Sequence, residues 1–212
     1  MYHVVHLSKM YHMVHRGDQV SNRETTDLTD LAESCLGAFV RSGTLDLSLD
    51  QLAREVGISK RMLVHYFGGR DAIEARAMTL LENRLRAQFA PENFPAGVGI
   101  KVVIDALWNR TTNPQSKGVL LLVMDLSRRA WSGSPRATSF YREQQRLWVE
   151  LLLRYLPDKN SVEDVLQSFQ GAVLAYLITG DPEPGRRMLY RLCAKLETRG
   201  KSSKEKKRRR TS

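Results

Sequence analysis

Five side chains with something to offer crowd one short stretch: Lys60, Arg61, Met62, His65 and Tyr66. Two cations, an imidazole and a phenol supply hydrogen-bond donors, and the thioether supplies a soft apolar contact. No serine, cysteine or carboxylate is arranged around His65 to make it a catalytic base. The set suits recognition of phosphates and base edges, not bond-making.

Two short helices around a tight turn would position it. Leu49, Leu52, Ala53 and Val56 repeat at helical spacing and form one apolar stripe. Ser48 precedes the stripe with Gln51 three residues on, a capping box. Gly57 ends the first helix in the left-handed conformation, Ile58 turns back to the core, and Ser59 caps a second helix starting at Lys60-Arg61. That second helix buries Leu63 and Phe67. Crossed helices joined by a Gly-containing turn, the second carrying the donors, read as a helix-turn-helix.

The chain resembles the TetR family of bacterial transcriptional regulators over about residues 28–80. The resemblance rests on Ser34-Cys35-Leu36, Phe39, Gly43, Ser48, Leu52-Ala53, Gly57-Ile58-Ser59, Tyr66-Phe67, Arg70-Asp71 and Ile73. Val64 departs from it, standing where the family has a phosphate-binding tyrosine, so Tyr66 or His65 would take that contact. With the resemblance, base-edge contacts fall to Lys60, Arg61, Met62 and His65, and phosphate contacts to Ser48, Ser59, Tyr66 and Arg70. Arg70 matches the family's lysine position. The family implies a palindromic DNA operator, a homodimer, and a small-molecule effector that tilts the helix starting near Asp71; a repressor is the expected polarity.

Net charge is +10, but residues 199–212 hold eight Lys/Arg against one Glu. That tail carries +7, which leaves +3 for the rest, so basicity describes the tail and the motif must speak for itself. Cys35 and Cys193 read as buried thiols. No apolar run approaches a membrane span and no signal peptide opens the chain, so a cytoplasmic protein without membrane contact is expected. Near-repeated segments at residues 1–6 and 10–15 hold His3, His6, His12 and His15 without Cys, Asp or Glu among them. They read as a disordered extension, or as sequence upstream of a true start at Met10 or Met13, ahead of a metal tract. No cofactor and no metal are expected. With no phosphate loop and no nucleophile elbow, neither is an enzyme.

Helical periodicity continues to the end. Residues 23–41 form a supporting helix, 71–89 a connecting helix, and 97–110, 115–131, 135–156, a helix opened at Ser161, and a last helix after Pro184 follow. Val119 to Met124 is apolar nearly all round and reads as a buried helix. The fold expected is all-α, with about nine helices: a disordered extension (1–22), an N-terminal three-helix helix-turn-helix domain (23–70), a helical ligand-binding and dimerisation domain (71–198), and a disordered basic tail (199–212). The last two helices read as an antiparallel pair. Their apolar residues Val162, Val165, Phe169, Val173, Tyr176, Met188, Leu189, Leu192 and Leu196 are the expected dimer interface. Phe89, Trp108, Met124, Arg128, Trp131, Tyr141 and Trp148 are the expected walls of an effector pocket. The competing class is a non-enzymatic helical DNA coater that binds mainly through its tail.

Overall fold

A computed structural model describes residues 20–208, and the histidine-containing segment lies outside them. Among the described residues the chain is all-α, with helices α1 (Val20–Ser42), α2 (Leu49–Val56), α3 (Lys60–Phe67), α4 (Arg70–Gln88), α5 (Ile100–Thr111), α6 (Lys117–Trp131), α7 (Pro135–Leu153), α8 (Lys159–Thr179) and α9 (Glu183–Arg208). Two single 3-10 turns, Pro91–Asn93 and Pro114–Ser116, precede α5 and α6. No described helix is long and apolar enough to cross a membrane.

The local signals around α2 and α3 are realised atom by atom. The Ser48 hydroxyl accepts the Gln51 amide at 3.2 Å, and the Gln51 side chain accepts the Ser48 amide at 2.8 Å. Gly57, at φ 75°, closes α2 by donating to Ala53 O, with Ile58 donating to the same carbonyl. These bonds satisfy an orphan carbonyl in a conformation that costs a glycine little. Ser59 caps α3 through the Met62 amide, and Gly68 closes it.

Two cores hold the helices together. In the lower one Leu52, Ala53 and Leu63 pack on Cys35, Leu36, Phe39, Ile73, Ala77 and Leu81, and α6 and α7 add Leu122, Leu126, Ala137 and Phe140. The upper one gathers α5, the end of α7, α8 and α9 around Trp108, whose ring stands edge-on to Phe169 at 5.5 Å. Gly185 lies so close that a Cβ there would come within 2.7 Å of that indole.

Contacts between elements set the directions of α4, α7, α8 and α9 relative to α3. α4 leaves it; α7 starts beside α4, where Arg136 donates to Asp71 O, and ends where Tyr155 donates to Phe94 O and Pro95 O. α8 returns, with Tyr176 donating to Thr112 O. α9 then leaves again, from Gly185 beside Trp108 to Glu197 beside Gly99.

Four sequence expectations need correction. α6 is not buried all round: Leu122 and Leu126 are, but Leu121, Met124 and Trp131 are exposed, because one face alone meets α1 and α7. α8 begins at Lys159 with Asp158 as its cap, accepting the Ser161 amide, so Ser161 lies inside the first turn. Helical backbone includes Val20 to Asn22, so α1 begins ahead of residue 23. It also runs through residues 199–208, so the tail is not a separate irregular segment from residue 199.

Candidate nucleic-acid interface

Burial of Leu63 turns the other side of α3 outward, and the helix period does the sorting. Lys60, Arg61, Met62, Val64, His65 and Tyr66 are all exposed. Arg61 has no hydrogen-bond or ion-pair partner among the described residues, and it stands one turn below His65. Lys60 pairs with Asp50 at 3.0 Å, but both groups are more than half exposed, so the pair holds little energy against a phosphate. The His65 and Tyr66 rings meet edge-on at 5.5 Å. Ser48 and Ser59 accept helix amides, which leaves each hydroxyl proton free to donate outward. Val64 is exposed as well, so the surface holds an apolar side chain at the position where the resemblance leads one to expect a tyrosine.

Arg70 does not join this surface as a free cation. Its Nε donates to Leu47 O at 2.9 Å, one terminal nitrogen to Leu45 O at 2.5 Å, and the other to Glu74 at 3.4 Å. The guanidinium ties the α1–α2 loop to the first turn of α4. A phosphate contact would have to compete with those bonds, and the structure gives Arg70 the part of a brace.

Next to that brace lies a feature without a counterpart in the expected site. Asp125 on α6 accepts from the Leu45 amide (3.0 Å), Thr44 Oγ1 (3.1 Å), Arg128 (2.8 Å) and Arg129 Nε (3.0 Å). Arg129 continues to Asp46 at 2.6 Å and to Glu74 at 3.3 Å. Burial pushes the Asp125 carboxyl up, yet the Leu45, Arg128, Arg129 and Thr44 contacts outweigh it and hold it below the usual range. Backbones also meet here: a Cβ on Gly118 would lie 2.3 Å from Val40 O, and one on Gly43 would lie 2.8 Å from Leu121 Cβ. The joint thus ties α6 to the loop before α2 and to the start of α4. A lone acid within the apolar run of α6 was the sequence signal for it.

The seven expected pocket residues do not share a cavity. Trp108 is fully buried in the upper core, where its Nε1 has no partner. Phe89 and Trp148 pack edge-on at 5.0 Å. Trp131 is 92% exposed, Met124 and Tyr141 are exposed, and Arg128 belongs to the Asp125 joint. An open cleft of about 440 Å³ does lie between the ends of α4 and α7, lined by Asn83, Arg86, Ala87, Phe89, Ala90, Leu147, Glu150, Leu151 and Arg154. Of the expected residues it includes only Phe89. Nearby on α7, Gln144 keeps its Nε2 buried and unpaired.

The expected interface residues are the chain's own core. Val162, Val165, Phe169, Val173, Leu189 and Leu196 are buried in the upper cluster, with Tyr176, Met188 and Leu192 packed against it. What α8 turns outward is Gly171, Leu174 (53% exposed) and Ile178 (76% exposed). The most apolar positions of a helix go to the core of its own chain first.

No protein-family model matches the chain, and no curated protein matches it. Solved structures do match, two of them as follows. A candidate TetR-family transcriptional regulator from Rhodococcus sp. superposes with a TM-score of 0.62 at 15% identity, over 80% of this chain and 98% of that one. A TetR-family transcriptional regulator from Streptomyces coelicolor gives 0.62 at 19% identity, over 84% of this chain and 80% of that one. The chain therefore has the fold of TetR-family transcriptional regulators.

Proposed function

We propose that this chain is a non-enzymatic, sequence-specific DNA-binding transcriptional regulator, acting in the cytoplasm as a repressor. The observation that carries the reading is α3: a doubly capped helix whose outward face holds unpaired Arg61 beside Lys60, Met62 and His65. A helix of that size enters a major groove with its first turns at the base edges. Arg61 suits the paired acceptors of guanine, and Tyr66, Ser48 and Ser59 suit phosphates.

Residues 23–70 form the DNA-binding unit, and residues 71–198 form the unit for effector and dimer. The dimer face is the outward side of α8 around Gly171, Leu174 and Ile178, since Val162, Val165, Phe169 and Val173 are used inside the chain. Two-fold pairing there sets two α3 helices about 34–36 Å apart on a palindromic operator. A small molecule in the cleft between α4 and α7 favours one arrangement of the two helices, provided it binds that arrangement more tightly. Because the Asp125 joint fastens α6 and α4 to the same loop, a shift of either reaches α2 and α3.

Selection of duplex DNA from a random pool by the purified protein tests this, followed by footprinting. A protected palindrome with half-sites one turn apart is the expected result. Enrichment of no sequence would sink the reading.

A further inference from the structure

The excess charge of the chain lies far from α3. Residues 199–212 hold eight Lys/Arg, one Glu, and no aliphatic or aromatic side chain. α9 carries this segment as helix to Arg208. Its direction is fixed by Gly185 beside Trp108 and Glu197 beside Gly99, and α9 runs away from α3 as α4 and α7 do. At 1.5 Å per residue α9 spans about 39 Å, and Arg208 lies about 16 Å past Glu197. Among the residues whose burial is described, Leu196 is the last in the core.

We propose that the basic end of α9 is a second nucleic-acid contact, which holds the phosphates of another duplex on the side of the molecule opposite α3. One dimer then ties two DNA segments together. Composition chooses the partner. A helix that lies on a membrane needs an apolar face, and this one has none. Duplex DNA presents about one charge per 1.7 Å of axis, a density that a +7 segment can match without side-chain specificity. The bridging depends on α3 binding DNA as proposed above, whereas the second contact does not.

The test uses the full chain, the chain ending at Thr198, and Lys60→Ala/Arg61→Ala, each shown by thermal melting to be folded. A duplex carrying the selected operator is fixed to beads, and capture of a second, labelled random-sequence duplex is read. The full chain is expected to capture it. Both variants are expected to stay on the beads, one through α3 and the other through α9, while capture drops at least about tenfold. Undiminished capture by the truncated chain overturns the proposal. If the truncated chain leaves the beads altogether, α3 is not a DNA-binding helix and the bridge falls with it. If the full chain binds anionic vesicles more tightly than random duplex at equal salt, and the truncated chain does not, the partner is wrong.

Discussion

Asp125 on α6 accepts the backbone amide of Leu45 at 3.0 Å, across a span of eighty residues, while Arg129 one turn further on reaches Glu74 of α4. A single carboxylate thus fixes the approach to the helix-turn-helix. Asp125→Asn keeps the shape and removes the charge that Arg128 and Arg129 answer. A loss of about 1.5–3 kcal/mol at neutral pH is expected. The sign with pH follows from the depressed folded-state pKa. The contribution is complete above the unfolded value of about 3.9 and is lost as pH falls through the lower folded value. Urea midpoints of the two proteins should therefore differ at pH 7 and converge in acid; a constant gap would remove Asp125 from the account.

Arg61 and Arg70 should fail in different ways. Arg61→Ala is expected to cost about 1–3 kcal/mol in binding to the selected operator, with little effect on random duplex or on melting. Arg70→Gln should lower the melting temperature, because Leu45 O and Leu47 O lose their donor. Equal losses on operator and random DNA for Arg61→Ala would overturn its base-edge role.

Gly118→Ala probes the crossing of α1 and α6. The added methyl would meet a backbone oxygen at 2.3 Å, which no side-chain rotation relieves. Overpacking of this kind costs about 1–3 kcal/mol, set against a helix-propensity gain of up to about 1 kcal/mol. A lower melting temperature is the expected outcome.

Leu174→Glu with Ile178→Glu tests the dimer face. Both side chains are exposed in the single chain, so its melting should hold while light scattering shows the mass halved and operator affinity falls. A dimer that survives both charges lies elsewhere.

Cys35 and Cys193 are buried, and burial pushes each thiol up to about 11. Both should resist a thiol reagent at pH 8 in the folded protein and react within minutes in urea. Rapid native labelling of either would contradict its place in the core.

Most of the fold was legible because nearly every helix announces its buried side at regular spacing, and because Ser48, Gln51, Gly57 and Ser59 are local signals that need no distant partner. The bracing bonds of Arg70 are not legible in the sequence, for the opposite reason. Its acceptors are the carbonyls of Leu45 and Leu47, which carry no side-chain identity for a sequence to display. Val165 and Phe169 belong to the chain's own upper core, and an apolar stripe in a sequence does not say whose core it fills. Leu121 and Met124 were read as buried since the run around them is continuous, yet one face alone of α6 meets α1 and α7.

The lower core, finally, bears on how such a regulator could be re-engineered. Leu63 and Leu52 share one cluster with Leu126 and Phe140, but α3 itself meets α2 and α4, while α6 packs on α1 and α7 on α4, so α6 and α7 support the seat of α3 at second hand. A chimaera cut after residue 70 would bring a foreign α1 against Leu122 and Leu126 of α6, and a foreign α3 against an α4 shaped for another tenant. Specificity is more safely transplanted by changing Lys60, Arg61, Met62 and His65 in place than by grafting the whole headpiece.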